Sequence, residues 1–522
     1  MRGGECETRG HLAYEKPLTR PDSVSFQIIA MRSAKQYLGS LDDGREVYYR
    51  GKRVRDVTAH PYLSLAAEHA AQLYRFQSDP DFKPSPMTVV DGRQVSTFYK
   101  LCKTPQDLLT RSHLIEETTR AGGGVFNIVQ AIGSDAIMAL MIVSKALDAR
   151  DPSKGYFQRI SRFHEYVAKN DLALAVGQTD VKGNRMLRPS EQADKDLYLR
   201  VVDSNEKGII VRGAKAHTTQ AIVADEVVVL PTRAMTEADK DYAVAFSVPA
   251  STKGLKLIAR PLLEAESAMT PEEGMISAKN IEVESLTIFD DVFVPNDRVF
   301  FLKEWEAAGI LANLFGLYHR FTALSYRQVI AETILGAAKL MAEQNGTDGA
   351  SHVREKLAHL IMYREQSRMA IRLAALDAVK DELTGIVYPN SLWANIGKLQ
   401  SNTQYMSSVQ NMVDIAGGLI STMPSPEDYA RSDIGPLMKK YLAGNAKMSA
   451  EERMNLFRLI RELIGSMGGL LAPGMIHAEG SIAASLIALS REYDFDSSKA
   501  LVRDVMQKGI GKSVARKASA HR

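Results

Sequence analysis

Cysteine is almost absent from this sequence. The 522 residues contain two, Cys6 and Cys102, which excludes a disulfide framework and any iron–sulfur or zinc site built from several thiolates of the chain. A strong charge of either sign is also lacking, because 65 Lys and Arg residues balance 62 Asp and Glu residues and leave a formal net charge of +3. The charge balance therefore gives no indication of a nucleic-acid-binding protein.

Long hydrophobic runs are missing as well. The longest apolar stretch, Ala136–Val143, falls far short of the roughly 20 residues that a membrane-spanning helix needs. The N-terminal residues also lack the apolar segment of a secretion signal. We therefore expect a soluble cytoplasmic protein that binds neither membrane nor nucleic acid.

What the chain does contain is typical of a globular protein. Hydrophobic residues make up 45% of it and charged residues 24%, close to the average for folded proteins. At this length, two or three domains are expected. A sizeable hydrophobic core is therefore available, as an integrated enzyme requires.

The hydrophobic pattern divides the chain into four parts. Residues 1–33 are polar and aperiodic and are interpreted as an extension, whereas residues 34–170 repeat apolar side chains every three or four positions, which predicts a helical domain. Residues 171–300 contain short runs rich in Val, Ile, Phe and Tyr between turn residues, which predicts an antiparallel sheet or barrel. Helical patterns return in residues 301–522, with helices expected at about 304–344, 352–383, 391–417, 449–467 and 479–491. No strand–helix–strand alternation is present, so the predicted class is α+β and a Rossmann domain is not expected.

Common catalytic and phosphate-binding motifs are missing. The tail contains GIGKS, but Met506 stands where a phosphate-binding loop needs glycine, and no strand precedes it. The sequence has no G-x-G-x-x-G, H-E-x-x-H or G-x-S-x-G, which leaves dinucleotide-fold, zinc-protease and hydrolase hypotheses without support.

Three stretches place polar side chains where strands or helices are expected to end. VGQTDVKGNR (Val176–Arg185) follows a strand with hydroxyl, carboxylate and glycine, and GAKAHTT (Gly213–Thr219) carries Lys, His and two Thr between strands. GGLISTMPSPEDY (Gly417–Tyr429) ends a long helix with two glycines, which permit close approach of the backbone to a phosphate. Each stretch alone is equally typical of an ordinary turn.

Together with other motifs, these stretches resemble a known family. FDDVFVPNDRVF (Phe289–Phe300), RGAKAHTT (Arg212–Thr219), MTEADKDYAVAF (Met235–Phe246), GLYHR (Gly316–Arg320) and IAGGLISTMPS (Ile415–Ser425) resemble the flavoprotein family that contains 4-hydroxyphenylacetate 3-hydroxylase and 4-hydroxybutyryl-CoA dehydratase. The dehydratase branch is the nearer of the two. The resemblance implies an acyl-CoA dehydrogenase-like fold, with N-terminal helices, a middle β-barrel and a C-terminal four-helix bundle.

The resemblance also implies FAD as cofactor and a homotetramer in which a neighbouring subunit completes each flavin site. By motif, Gln178, Thr179 and Asp180 would line the flavin ring, and Ala216, His217, Thr218 and Thr219 would contact it from the adjacent strand. Gly417 and Gly418 would approach its phosphates or adenosine.

The departures from the family concern metal and catalysis. The dehydratase holds a [4Fe–4S] cluster on three Cys and one His, but the matching positions here are Asn127, Ala131 and Tyr326, with His319 retained. A catalytic Tyr of the dehydratase is matched by Ala323, and a Glu by Gly474, although His477 and Glu479 lie close by. We therefore expect no metal, and we expect His319 and Tyr326 to be the catalytic candidates.

Three functions remain open. The first is a cluster-free FAD-dependent oxidoreductase or isomerase that acts on an acyl thioester or another carbonyl compound, with His319 as proton carrier. The second is an aromatic monooxygenase that receives reduced flavin from a reductase and binds a phenol near Tyr326 and His319. The third is a flavin-binding scaffold without turnover. For His319, a structural role with a hydrogen bond to Tyr326 is a further alternative.

Overall fold

The computed structural model describes residues 31–261, 274–445, 448–465 and 471–519. The predicted extension, residues 1–33, lies almost wholly outside them. The described residues combine helices and sheets, as the α+β prediction requires. No helix among them has both the length and the apolarity needed to cross a bilayer.

Helices and short hairpins make up the N-terminal part. α3 illustrates why its helices begin where they do: Thr104 accepts the backbone N–H of Asp107 at 3.2 Å, the Asp107 carboxylate accepts the Thr104 N–H at 2.9 Å, and Pro105 follows the cap. The elements are α1 (Ala34–Ser40), β1 (Glu46–Tyr49), β2 (Lys52–Val54), α2 (Leu63–Gln77), β3 (Met87–Val90), β4 (Arg93–Ser96), α3 (Pro105–Ala121), α4 (Ala131–Arg150) and α5 (Tyr156–Asn170).

The hairpins β1–β2 and β3–β4 were not expected from the helical pattern of this part. Each turns through two residues of positive φ, Arg50 and Gly51 in the first and Asp91 and Gly92 in the second. This turn geometry matches the natural twist of paired strands. The Asp-Gly pair is the sequence signal that identifies the second hairpin.

The middle part is built of strands, as predicted. They are β5 (Leu174–Gly177), β6 (Arg200–Asn205), β7 (Gly208–Thr219), β8 (Glu226–Val229), β9 (Val244–Pro249), β10 (Leu255–Ala259), β11 (Glu284–Pro295) and β12 (Val299–Leu302). Among the described residues, six strands form one sheet in the order β2-β1-β10-β11-β7-β6, and four form another in the order β12-β9-β8-β5. The pairs β1–β10 and β5–β8 are parallel, and the other neighbours in these sheets are antiparallel.

The two sheets share a buried interior. Phe246 of β9 meets Phe289 of β11 edge to face, with 5.8 Å between ring centroids, and both rings are buried. Alternation of buried and partly exposed residues along β10 places Leu255, Leu257 and Ala259 on the inner face. The ends of β5 and β7, which carry two of the polar stretches, meet at one margin of this interior.

Long helices form the C-terminal part. They and their connections are α6 (Trp305–Gln344), α7 (Ser351–Leu376), β13 (Val379–Lys380), β14 (Val387–Tyr388), α8 (Ser391–Ala416), α9 (Leu419–Thr422), α10 (Pro426–Ala430), α11 (Gly435–Tyr441), α12 (Ala450–Gly465), α13 (Leu471–His477), α14 (Ile482–Glu492) and α15 (Phe495–Ser519). These bounds agree with the expected helices except in two places.

The first difference is that α7 ends at Leu376, although its pattern predicts helix to about residue 383. The Asp381 carboxylate accepts the backbone N–H of Thr384 at 2.8 Å and its hydroxyl at 2.6 Å, and Gly385 takes a positive φ. These contacts favour a turn between β13 and β14 over further helix. The second difference is α15, a helix that begins after the last helix expected from the pattern.

The helices α7 and α8 approach each other most closely at Gly397. A Cβ atom added there would lie 2.4 Å from Cβ of Ala370 and 3.0 Å from a methyl of Leu324. The absence of a side chain therefore sets how closely α6, α7 and α8 pack.

We predict that Gly397→Ala lowers the free energy of unfolding by about 1–3 kcal/mol, because the added methyl forces the helices apart. Gly336→Ala is the matched control, since Gly336 is an exposed position of α6 with nothing within 4 Å of an added Cβ, and it should raise stability by up to about 1 kcal/mol. Urea denaturation measures both values. Equal effects of the two substitutions would contradict the packing argument.

Candidate active site

The polar stretch after β5 lies against the end of β7. The backbone N–H of Ala216 donates to the carbonyl of Thr179 at 2.7 Å, and Asp180 pairs with Lys215 as an isolated antiparallel bridge. Gln178 reaches the other side, where its amide donates to the carbonyl of Ala312 in α6 at 3.2 Å. The structure thus brings two of the predicted segments together and connects them to the helices.

A buried ion pair holds this junction. Nζ of Lys215 lies 2.8 Å from the Asp180 carboxylate, with both side chains 2% exposed, and it also donates to the carbonyls of Gln178 and Leu230 at 3.0 Å. Burial lowers the pKa of Lys215, although Asp180 opposes that shift. Lys215 was part of the quoted motif but was not predicted to be a site residue, and its role here is to fix the backbone around Gln178.

Thr218 carries an unused hydrogen-bonding group. Its side-chain oxygen is buried and has no partner within the described residues, although its carbonyl accepts from Ser285 Oγ at 3.2 Å. Leaving a buried hydroxyl unpaired costs about 1–3 kcal/mol. The hydroxyl is therefore available to a ligand that binds at the end of β7.

His217, the residue before Thr218, adopts a left-handed backbone with φ of 57° and its side chain is partly shielded from solvent. Burial lowers the pKa of His217, and the neighbouring positive groups Lys182, His477 and Arg185 lower it further. The imidazole is therefore neutral at pH 7. His477 belongs to α13, so the strand end and the C-terminal helices lie close enough for their charges to interact.

His319 and Tyr326 lie seven residues, or two turns, apart on α6. The Tyr326 hydroxyl donates to Glu479 at 2.6 Å, and its ring stacks on Phe126 with centroids 5.0 Å apart. His319 stacks on Phe315, and its Nδ1 atom is buried and without a partner among the described residues. The alternative in which His319 hydrogen-bonds Tyr326 is therefore wrong, because Glu479 takes the hydroxyl.

Glu479 is the centre of the helical side of the site. Its carboxylate pairs with Arg327 at 2.5 Å, and the two side chains are 2% and 0% exposed. Arg327 also donates to the carbonyls of Gly474 and Met475 at 2.9 and 3.1 Å, which anchors α13 against α6. Glu479 itself has a φ of 59°, an uncommon conformation for a residue other than glycine that clusters at functional sites.

The ionisation states in this network follow from its contacts. Burial opposes ionisation of Glu479, but Arg327, His319 and the hydrogen bond from Tyr326 outweigh it and hold the pKa of that carboxyl below its ordinary value. Burial and the Glu479 charge raise the pKa of Tyr326. Burial also lowers the pKa of His319, against the pull of Glu479. At pH 7 the site holds an ionised carboxylate, a protonated phenol and a neutral imidazole.

A second carboxyl group, Glu282, lies just before β11. Its Oε1 atom is buried and has no partner in the described part of the chain. Burial first, then the nearby charges of Glu284 and Glu479, raise its pKa well above the ordinary value, and Arg260 opposes them. Burial therefore disfavours the charged form of Glu282, and no spacing in the sequence pointed to this residue.

The positions that match cluster ligands do not suit an iron–sulfur cluster. Asn127 donates to the carbonyl of His69 at 2.7 Å, Ala131 is a buried aliphatic residue, and the Tyr326 hydroxyl is bound to Glu479. None supplies a thiolate. Within the described residues, no three His, Cys, Asp or Glu side chains converge as metal ligands would.

Gly417 and Gly418 lie apart from the rest of the predicted site. They follow the end of α8, are exposed, and have nothing within 4 Å of an added Cβ. Lys398, which contacts the segment around Glu479, is 19 residues earlier in the same helix, so the two glycines lie about 28 Å away along its axis. Their predicted contact with the cofactor stays a prediction.

We predict that Glu479→Gln lowers the free energy of unfolding by about 3–5 kcal/mol, because it leaves the Arg327 guanidinium buried without a counter-charge. In the double variant that also carries Arg327→Met, the loss should be smaller than the sum of the two single losses. Urea denaturation of the wild type, the two single variants and the double variant measures the coupling free energy between the two residues. Additive losses would show that the pair does not act as a unit.

Comparison with known proteins identifies the family. The sequence profile for the N-terminal part of 4-hydroxyphenylacetate 3-hydroxylase matches residues 33–301, and the profile for its C-terminal part matches residues 308–507. Together the matches extend over most of the chain.

Characterised relatives belong to both branches. The chain is 31% identical over 491 residues to 4-hydroxybutyryl-CoA dehydratase/vinylacetyl-CoA-Δ-isomerase of Clostridium aminobutyricum, covering 91% of this chain and 99% of that protein. It is also 31% identical over 435 residues to the oxygenase component of 4-hydroxyphenylacetate 3-monooxygenase of Thermus thermophilus, covering 82% and 87%. Both relatives are named enzymes, in agreement with the prediction of an enzyme.

Solved structures show the same fold. An oxygen-tolerant archaeal 4-hydroxybutyryl-CoA dehydratase from N. maritimus superimposes with a TM-score of 0.85 at 29% identity, covering 92% of this chain and 95% of the other. The oxygenase component of 4-hydroxyphenylacetate 3-monooxygenase, complexed with FAD and 4-hydroxyphenylacetate, superimposes with a TM-score of 0.84 at 27% identity, covering 92% and 99%. That solved relatives hold FAD agrees with the predicted cofactor. The predicted resemblance is confirmed: the chain belongs to the 4-hydroxyphenylacetate 3-hydroxylase family.

Proposed function

We propose that this protein is a cluster-free, FAD-dependent oxidoreductase or isomerase that acts on an acyl-CoA-like or other carbonyl substrate. The observation that carries the proposal is the buried network of Tyr326, Glu479 and Arg327 beside His319. This network supplies groups for proton transfer at positions where the dehydratase is expected to hold metal ligands. The chemistry that remains is proton and hydride transfer, which needs no Lewis acid from a cluster.

The ends of β5 and β7 suit FAD. The unpaired Thr218 hydroxyl and the junction held by Lys215 and Asp180 offer a rigid edge with a vacant hydrogen-bonding group. We assign the flavin ring to Gln178, Thr179 and Asp180 on one side and to Ala216, His217, Thr218 and Thr219 on the other. Bound FAD would supply an acceptor for a hydride.

The helical side supplies the proton-transfer groups. His319 is neutral and its Nδ1 is not engaged within the described residues, so the imidazole can accept a proton from the carbon next to the carbonyl. In isomerisation the double bond moves one position towards the carbonyl and His319 returns the proton to the far carbon, without net oxidation. In desaturation the proton would go to His319, and bound FAD would supply the acceptor for the hydride of the next carbon. Tyr326, kept protonated, holds Glu479 in place in either case.

A finer description of the molecule is part of the proposal. We assign residues 34–170, 171–300 and 301–522 to the family's helical domain, β-barrel and four-helix bundle, arranged as in acyl-CoA dehydrogenases, in a cytoplasmic enzyme. We also propose a homotetramer in which Gly417 and Gly418 contact the flavin of a neighbouring subunit. In their own chain they lie about 28 Å along the axis of α8 from Lys398, which contacts the segment around Glu479. Exposed apolar side chains on α14 and α15 suit subunit contacts; they include Leu486, Ile487, Leu501, Val502, Val505 and Met506.

The cofactor assignment predicts opposite outcomes for two buried threonines. Thr218→Val should weaken FAD binding about tenfold, the value of one hydrogen bond, and should not destabilise the apoprotein, because its hydroxyl bonds nothing in the described part of the chain. Thr287→Val is the matched control: its hydroxyl is within hydrogen-bonding distance of Ser285 at 2.9 Å, so stability should fall by about 1 kcal/mol with FAD affinity unchanged. FAD titration and apoprotein denaturation measure the two effects. A loss of stability without a loss of affinity in Thr218→Val would contradict the assignment.

The reaction is tested by proton exchange. The holoprotein incubated anaerobically with butyryl-CoA in D₂O should incorporate deuterium next to the carbonyl, and His319→Ala should slow this exchange by at least about 100-fold. His113→Ala is the control, because His113 is an exposed residue of α3, and it should exchange at the wild-type rate. Mass spectrometry of the recovered thioester gives the rates. Exchange retained in His319→Ala would remove this residue from the mechanism.

The second candidate function is the oxygenase component of an aromatic monooxygenase, supplied with reduced flavin by a reductase. Its support is the similarity to the Thermus thermophilus oxygenase and to a relative solved with 4-hydroxyphenylacetate. Tyr326 and His319 would then bind the phenol. Hydroxylation of 4-hydroxyphenylacetate by the protein with reduced FAD and oxygen, without exchange on butyryl-CoA, would replace the first function with the second.

A further inference from the structure

Two positive side chains converge on Gly480, next to the Glu479 network. Nζ of Lys398 in α8 donates to the Gly480 carbonyl, and Nη2 of Arg320 in α6 lies 3.6 Å from the point where a Cβ on Gly480 would stand. The same atom is also 3.6 Å from the Cβ position of Gly316. Because Gly316 and Gly480 carry no side chains, neither of them covers the Arg320 guanidinium.

Neither cation forms an ion pair in the described part of the chain; the contacts of both are with backbone carbonyls. Glu479 directs its carboxylate to Arg327 and Tyr326 and offers Arg320 only its backbone carbonyl, at 3.3 Å from Nε. Lys398 is fully buried and bonds only a carbonyl. A buried charge is strongly unfavourable unless it is paired, so an anion bound beside Lys398 would stabilise its charged form.

The pKa values of both groups agree with this imbalance. Burial lowers the pKa of Arg320, although Glu492 and Glu479 oppose it, and Glu492 is exposed and forms no ion pair within the described residues. Burial also lowers the pKa of Lys398 to about 7, despite the Glu479 charge. An anion between the two groups would stabilise both in their charged forms.

A third polar group faces the same way. Asn395 lies three residues before Lys398 in α8, which places the two side chains on one face of the helix. Asn395 is fully buried, and neither its Nδ2 nor its Oδ1 has a partner among the described residues. A buried amide with both ends unpaired is rare in a protein interior and indicates that a bound group completes it.

We propose that Arg320, Lys398 and Asn395 bind a carboxylate of the substrate, which makes the substrate an acid with a negative end as well as a reacting centre. The inference rests on the proposed function for the reacting centre beside His319. Guanidinium, ammonium and amide Nδ2 together donate to both oxygens of a carboxylate. The acid is either a small phenolic acid or the far end of a carboxyacyl thioester, because both present the same group.

Two pairs of ligands test the proposal, each with a member that is charged at the end concerned and an analogue of similar shape that is neutral at that end. The first pair is 4-hydroxyphenylacetate and 4-hydroxyphenylacetamide, and the second is glutaryl-CoA and butyryl-CoA. In calorimetric titrations of the holoprotein, one charged member should bind at least tenfold more tightly than its neutral partner. The pair that discriminates identifies the source of the carboxylate.

Substitutions then locate the site. Arg320→Met and Lys398→Met should each reduce that preference to less than threefold, whereas Arg320→Lys should keep part of it, and the exposed control Lys339→Met should keep all of it.

Binding of the charged ligand at pH 8 should also take up a proton, because an anion favours the protonated form of a lysine whose pKa is about 7, and Lys398→Met should abolish the uptake. Calorimetric titrations in two buffers of different ionisation enthalpy measure the number of protons taken up.

Equal affinities within both pairs, or a preference that survives in Arg320→Met and Lys398→Met, would overturn the proposal. These outcomes are distinct from failure of the proposed function, since calorimetry detects the carboxylate preference whether or not the substrate is turned over. If the Met variants fail to fold, Asn395→Leu serves in their place. It removes an amide that bonds nothing in the described chain, so it should weaken the charged ligand alone.

Discussion

The ion pair between Glu479 and Arg327 is the interaction on which the rest of the candidate site depends. It joins α6 to the short segment after α13, and both side chains are almost completely buried. In such surroundings a charge must be matched or it destabilises the fold. The pair therefore sets where Glu479 stands, and through Glu479 it determines the partner of the Tyr326 hydroxyl and the electrostatic environment of His319.

The strand side of the site follows the same physical rule. Lys215 and Asp180 form a second ion pair without access to water, and it fixes the backbone that would face the flavin ring. Both pairs satisfy their own charges, whereas the Thr218 hydroxyl, Nδ1 of His319 and the Asn395 amide have no partner among the described residues. Buried polar groups normally find partners, so each of these three groups is available to a ligand.

Element types were largely predictable from the sequence because they depend on local periodicity. The strands from Leu174 to Leu302 and the helices beginning near residues 305, 351, 391 and 450 agree with the patterns. The hairpins between α1 and α3 were missed because strands of three or four residues carry too few positions to show a period. The over-long prediction for α7 has a different cause, since the turn at Asp381 is stabilised by side-chain hydrogen bonds that periodicity does not register.

Within the site, the motifs predicted Gln178 to Asp180 and Ala216 to Thr219 as neighbours, and the structure brings them together. Arg327, Lys398, Asn395 and Glu282 were not predicted. Each is an ordinary polar residue in its local sequence. The partners of Arg327 and Lys398, Glu479 and Gly480, are 152 and 82 residues away along the chain. A helical pattern shows which face is buried, but it does not show that a lysine on that face meets a glycine from another segment.

By itself, the sequence determined the order of helices and strands, the family, and the lack of thiolates where a cluster would need them. These properties follow from residue identity and short-range spacing alone. Only the tertiary structure decided that Glu479, rather than His319, takes the Tyr326 hydroxyl, and that Arg320 and Lys398 converge on Gly480 without an ion pair among the described residues. The reason is that pairing of buried charges depends on distances of a few ångströms between remote segments, and those distances exist only once the chain has packed.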